Sequence, residues 1–151
     1  MPARILDVRD KIVEMIDDAA IEGAVGANAS YLPEYFKQAL SVQQIDVRAI
    51  TDEMDAADRQ QNVGSAMRVY RMEITVQQNV DAGDVDTIDE LVTLTVAIAE
   101  LFYPNKQLDD LTPIVAVNPE EPPECMVCDP MFLRDYGVFY SRITLALREW
   151  P

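Results

Sequence analysis

Five carboxylates crowd into one stretch, Asp81, Asp84, Asp86, Asp89 and Glu90, and two thiols sit three apart in Cys125-Met-Val-Cys128. A calcium loop needs oxygen ligands at alternating positions and a glycine at the sixth. Counting from Asp81 puts Asp86 sixth, and counting from Asp84 puts Asp89 there, so neither register fits. Carboxylates at the start of a helix complement its dipole, and that is the reading the spacing favours. The thiol pair has the spacing of half a zinc site, with Cys125 and Cys128 as weak metal candidates, but the chain has no further cysteine and no histidine. A redox pair usually opens a helix, whereas here Pro122, Pro123 and Pro130 flank it. A reversible disulfide pinning the loop, or two unpaired thiols, is favoured over a metal, including one shared across subunits.

With no histidine, the commonest general base and the histidine-dependent triads are excluded, while Asp, Glu, Lys and Cys chemistries survive. Gly23 and Gly26 follow a helix rather than joining a strand to a helix, so they end a helix and do not cradle phosphate. Asp17-Asp18 and Asp109-Asp110 read as solvated acids. Tyr31, Tyr35 and Phe36, and likewise Phe132, Tyr136, Phe139 and Tyr140, read as core and interface packing, since the basic residues a nucleotide-stacking platform needs are scarce. No catalytic residue and no cofactor is expected.

The elements that position these groups follow from periodicity. Ile5, Val8, Ile12, Met15, Ile16 and Ala19 recur at three and four, which predicts an amphipathic helix over 5–21 with Asp7 and Lys11 as an i,i+4 pair. A loop to about residue 30 follows, then Tyr31-Leu32-Pro33 and a helical turn or two over 34–40. Ile45 to Ile50 alternates as a short strand does. Residues 51–65 carry Asp52, Glu53, Asp55 and Asp58 with no clear period and read as a long mobile loop. From Met67 the period becomes two, with Tyr70, Met72, Ile74 and Val76 on one face and Arg71, Glu73, Thr75 and Gln77 on the other. Asp81-Ala-Gly-Asp turns the chain, and Thr87-x-x-Glu90 is a capping box opening a helix through Phe102 that Pro104 closes. Ile114–Val117 is a brief strand. Residues 118–130, with Pro119, Pro122, Pro123 and Pro130, predict an extended surface loop rather than packed structure. A last strand alternates from Phe139 to near Trp150.

The order helix, strand, strand, helix, strand, strand predicts an α+β fold. Its sheet would be mainly antiparallel and four-stranded, with two helices packed on one face and the other face free for a partner. No repeat or compositional break marks a second domain, so residues 1–151 read as one domain with long loops at 51–65 and 118–130.

The 151 residues hold 12 Lys plus Arg against 27 Asp plus Glu, a formal net charge of −15. Duplex DNA is bound by clustered Lys and Arg that release condensed counterions, so this balance excludes such binding. The acids are mostly Asp and the cations mostly Arg, with Lys only at 11, 37 and 106. A Lys-poor acidic surface favours concentrated salt, where screening shortens to roughly 3 Å at 1 M and removes self-repulsion, and the alternative reading is an acidic protein of an ordinary cytoplasm. Met1 to Asp10 interrupts its apolar residues with charge and lacks the apolar run of a secretory signal. The most apolar window, Leu91 to Tyr103, is too short to span a membrane and carries Glu100.

Across nearly the whole chain the pattern resembles the tail terminator family of long-tailed viruses of bacteria and archaea, also called tail-completion or head-tail joining proteins. The likeness runs through the opening helix (Ile5 to Ile21), the Tyr31-x-Pro33 step and the short strand Ile45 to Ile50. It continues through Arg68 to Val76, the acidic turn into Asp86 to Phe102, and the closing strand Phe139 to Leu147. The proline-rich cysteine loop matches no hallmark of that family.

The resemblance implies a structural virion protein without catalysis, at the neck where head meets tail, assembled in the host cytoplasm. Such a protein forms a ring, typically of six copies, that caps the tail tube, blocks its further polymerisation and presents a new surface to the head connector. Its implied partners are itself, the tail tube protein and the connector or stopper protein, with DNA passing through the pore unbound and no membrane involved. Independently, a carboxylate-lined pore would repel sliding DNA rather than hold it. A closed ring needs two different complementary patches per subunit. The 51–65 loop, the 77–84 turn and the 118–130 arm are expected to make those contacts, through Asp52, Glu53, Asp55, Asp58, Arg59, Asp81, Asp84, Glu120, Glu121 and Met126. The alternative from another class is an acidic soluble regulatory or chaperone-like module that binds a basic partner. A small hydrolase using Asp or Glu ranks third.

Overall fold

The computed structural model describes residues 3–31, 43–54, 68–103, 106–108 and 110–150. The helical turn expected at 34–40, and residues 55–65 of the expected loop, lie outside them. In chain order the described elements are α1 (Arg4–Asp18), β1 (Ala27–Ala29), β2 (Gln44–Met54), β3 (Arg68–Asn79), α2 (Val85–Leu101), β4 (Ile114–Val117), β5 (Glu124–Met126), α3 (Pro130–Tyr136) and β6 (Val138–Trp150). The fold is α+β, as the alternating and helical periods predict. The sheet is larger than the expected four strands and is mixed, and a third helix joins the two expected.

The six strands run in the order β1-β2-β3-β6-β4, with β5 also paired to β6. β2, β3 and β6 form an antiparallel centre, while β1 adds to β2 in parallel. β4 pairs with the end of β6 from Leu147 to Trp150, and β5 pairs with Arg142 to Thr144 of the same strand edge. Residues 114–126 are therefore one interrupted strand running antiparallel to β6, with residues 118–123 looping out between its halves. The proline-rich segment expected to be wholly unpacked thus carries a strand. Its prolines sit where no ladder N–H is required, which is where a strand tolerates them.

Strand alternation sorts the side chains onto two faces. Ile45 and Val47 of β2, Tyr70, Met72, Ile74 and Val76 of β3 and Ile143, Leu145 and Leu147 of β6 line one face. They join Val8, Ile12, Met15 and Ile16 of α1 and Leu91, Leu94 and Ile98 of α2 in one apolar core. Both long helices therefore lie on the same face, and Thr95 of α2 meets Ser141 of β6 there at 2.8 Å, both fully buried.

The opposite face, expected to be free, is largely covered. Glu73, Thr75, Gln77, Tyr140 and Ala146 on it are all buried. Phe132 of α3 packs against Tyr140 with ring centroids 5.1 Å apart, and the 118–123 excursion folds over Ala146, with Asn118 N–H donating to its carbonyl at 2.8 Å. Glu73 is neutralised there by Arg48 on the neighbouring strand, at 3.1 Å. A polar face is thus compatible with burial when its charges pair across strands.

Several boundaries move for local reasons. α1 stops at Asp18, before Gly23: Ala19 is exposed and reaches no core, Ala20 takes a positive φ of 47°, and Asp17 Oδ1 accepts the Ala27 N–H at 2.8 Å. Lys11 pairs with Glu14 at 2.9 Å, one turn onward, rather than forming the expected pair with Asp7. β2 runs four residues beyond Ile50, paired with β3 as far as Met54, and a bulge between Ala49 and Thr51 shifts its register and hides the alternation in the sequence. The expected 77–84 turn is shorter, since β3 continues to Asn79. The cap of α2 is Asp84, whose carboxylate accepts from Thr87 N–H at 3.2 Å and Thr87 Oγ1 at 2.8 Å, so Thr87 sits inside the helix and is not the cap.

Candidate interaction surfaces

Two of the three expected contact regions converge. Arg71 projects from β3 on the covered face and grips Glu121 of the 118–123 excursion through both terminal nitrogens, at 2.6 and 3.2 Å. Its Nε lies 3.5 Å from Glu53 of β2. Asp52, one residue earlier, faces Arg68 at 3.5 Å. The guanidinium of Arg71 holds the Glu121 carboxyl below the ordinary carboxylate range, an effect first of the hydrogen bond and then of charge. Asp52, Glu53 and Glu121 are thus partly occupied in holding the protein's own strands together, and Glu120 beside them is exposed. Met126 is half-buried in β5. Asp55, Asp58 and Arg59 lie outside the described residues.

The third region is far from these. Asp81 and Asp84 follow the other end of β3, about 30 Å away at 3.3 Å per residue. Asp81 Oδ1 accepts from Gly83 N–H at 3.0 Å and Asp84 caps α2, so both carboxylates shape the turn. Asp86, Asp89 and Glu90 stand exposed on the first turns of α2, where the helix dipole favours them. That assignment of the acidic cluster to the helix start agrees with its sequence reading.

Among the described residues ten large apolar side chains are exposed, Ile50, Val85, Ile114, Met131 and Tyr136 among them, and five of the ten lie near β1 or β5. At the β1 edge, Val25 and Tyr31 are 61% and 62% exposed. Arg9 lies 5.6 Å above the Tyr31 ring and donates to its hydroxyl at 3.2 Å. At the β5 edge, Val96, Tyr103 and Val127 are exposed and border a shallow apolar hollow of about 170 Å³ shared with Pro123 and Cys125. Sequence reasoning missed these valines. A partial signal was present in α2, where Val96 falls off the stripe of Leu91, Leu94 and Ile98 that enters the core. Phe132 packs against both Tyr136 and Tyr140, and of the residues read as packing Phe139 and Tyr140 are buried while Tyr136 is exposed.

Cys125 and Cys128 are both free thiols, half-buried beside the core. Burial pushes both thiols up, and Asp129 adds to the shift at Cys128. Neither thiol has the lowered value that marks an activated cysteine. Among the described residues no group of three or more Cys, Asp or Glu side chains is placed to hold a metal ion. None of the described helices is long and apolar enough to cross a membrane.

The helix after the thiols, α3, was missed although its sequence announces it. Asp129 caps it by accepting from Met131 and Phe132 N–H, Pro130 opens it and Gly137 closes it with a φ of 61°. Compared with known protein families and with curated proteins, the chain matches no family model and no curated sequence.

Proposed function

We propose that this chain is a ring-forming structural virion protein of the tail terminator type, acting at the junction of tail and head. The observation that carries the reading is the exposure of apolar side chains towards both edges of one sheet, Val25 and Tyr31 at the two ends of β1 and the cluster of Val96, Tyr103 and Val127 beside β5. A closed ring is built from a heterologous interface, in which one surface of each subunit meets a different surface of the next. Patches at opposite edges suit a chain of subunits joined edge to edge, six of them in the ring the family forms. The surplus of carboxylates suits a pore through which DNA passes without being held. The acids of the 80–84 turn and those around Arg71 sit at opposite ends of the strands, which suits one end of the ring for the tail tube and the other for the head connector.

Light-scattering mass after gel filtration in molar salt, with negative-stain images of the same fractions, tests the reading. A sixfold ring is expected. Tyr31→Glu and Tyr103→Glu each break one half of the interface, so each variant alone runs as a monomer. Mixed together, they pair through the one intact half and stop at a dimer. Single variants that both leave the ring intact, or a wild-type monomer at every salt concentration, overturn the proposal in favour of an acidic module that binds a basic partner.

A further inference from the structure

We infer that the groove between the first half of α2 and the loop after α1 seats a basic amphipathic segment of a partner protein. Ile21, Glu22 and Gly23 of the loop after α1 and Thr87 to Ala97 of α2 border a groove of about 690 Å³ that Gln43 and Gln78 of the sheet end also line. That is the size of a small-molecule pocket, about 300–1,000 Å³, which gives room for the anchoring side chains of a segment lying across it. Ile21, Leu94 and Ala97 give it an apolar lining, while Glu22, Asp89 and Glu90 stand exposed on its walls. Among the described residues no Lys or Arg lines it.

Charge complementarity selects the occupant. Arg4, Arg9, Arg48, Arg68, Arg71 and Arg134 each sit within ion-pair distance of a carboxylate of the same chain. Glu22, Asp89 and Glu90 are left to face outward over an apolar floor. A segment with Leu-like side chains on one face and Lys or Arg along its flanks satisfies both, as amphipathic helices do in apolar grooves. A purely cationic segment would leave the floor wet, and an apolar one would leave three carboxylates facing it. The site is complete within one subunit, so the inference stands whether or not the chain closes into a ring.

The test uses a labelled, capped synthetic peptide of about 12 residues with Leu at helical spacing and Lys elsewhere. Its anisotropy is followed in about 0.15 M KCl, where long-range attraction is largely screened. Asp89→Lys with Glu90→Lys is expected to weaken binding about tenfold or more, because two close charge contacts reverse. Glu120→Lys with Glu124→Lys, the same change in net charge elsewhere on the surface, is expected to weaken it less than about threefold. Ala97→Trp fills the groove without altering charge and is expected to lose about tenfold, as is a peptide with Ser in place of Leu. Circular dichroism confirms that each variant is folded. Equal losses from the two charge-reversed pairs, undiminished binding by Ala97→Trp or by the Ser peptide, or no binding by the wild type overturns the inference.

Discussion

Thr95 on α2 and Ser141 on β6 share a fully buried hydroxyl contact of 2.8 Å, the polar stitch between the helix and the sheet it covers. Thr95 Oγ1 also donates to the Leu91 carbonyl at 2.9 Å, one turn back in its own helix, so Ser141 supplies the hydrogen between the two hydroxyls. The pair fixes where α2 lies along β6, because apolar neighbours alone would tolerate sliding. Thr95→Val keeps the shape and removes the acceptor, leaving Ser141 with only the Val76 carbonyl at 3.5 Å. The expected loss is about 1–3 kcal/mol, the cost of stranding a buried polar group. Thr95→Val with Ser141→Ala should lose less than the sum of the single changes, since neither partner is then stranded. Urea unfolding of the four proteins of the cycle measures this, and additive losses would show that the contact contributes nothing of its own.

Arg71 and Glu121 join the excursion at 118–123 to the sheet, and their stability contribution has a definite sign in pH. The Glu121 carboxyl is held below its ordinary range in the folded protein by the Arg71 hydrogen bond. The pair's contribution is therefore fully present above the unfolded carboxylate value, about pH 4.3, and fades as pH falls through the lower folded value. Both side chains are a third or more exposed, so the contribution is at most about 1 kcal/mol and shrinks in salt. The difference in unfolding free energy between the wild type and Glu121→Gln should be constant from pH 6 to 8 and narrow below about pH 4. A difference that widens in acid would contradict the pairing.

Gln77 is fully buried on the covered face with neither its amide nitrogen nor its carbonyl oxygen hydrogen-bonded. A buried polar side chain without partners costs more than an apolar one of like shape. Gln77→Met, which keeps the unbranched outline, should raise stability by about 1 kcal/mol, a shift of roughly 2–4 °C in Tm for a chain of this size. Thermal scans at low protein concentration decide it. A fall in Tm would mean that the amide has a role the isolated chain does not account for.

How far the sequence could be read differs from strand to strand. β3 and β6 were legible because each carries an apolar side chain at every second position of one face, and that alternation has a single explanation. β1 was not, since Ala27-Asn28-Ala29 has neither alternation nor β-branched residues and becomes a strand only because β2 offers it a parallel edge. The extension of β2 was hidden by the bulge after Ala49, which shifts the register just where Asp52 and Glu53 bring charge into the strand. Arg68 and Arg71 on the neighbouring strand accept that charge, a compensation invisible until the pairing is known. The prolines of 118–130 suggested loop so strongly that the Asp129-Pro130 start and Gly137 stop of α3 went unread. Among the candidate contacts, acids could be found by counting, but exposure of Val25, Tyr103 and Val127 depends on which face each element turns inward. That is a property of the packed molecule.

The acids surplus to pairing predict how stability depends on salt. Both long helices end in acid with no base in the last turn, Asp17 and Asp18 in α1 and Glu100 in α2, where the dipole disfavours negative charge. Asp17 is compensated by the Ala27 N–H, but Asp18 stands exposed at the helix end. Together with the net charge of −15, this arrangement strains the fold in dilute buffer, where the screening length is about 30 Å at 0.01 M, and relaxes at about 1 M, where it is about 3 Å. The Tm should therefore rise between low and molar KCl. Asp18→Lys removes one repulsive charge and replaces it with one the helix end favours, and should stabilise the protein by about 0.5–1 kcal/mol in low salt. In molar KCl that gain should largely vanish, because the interactions it repairs are already screened. A Tm unchanged from low to molar KCl, with Asp18→Lys neutral throughout, would overturn the high-salt reading of the composition and leave the acids as ordinary solvated surface.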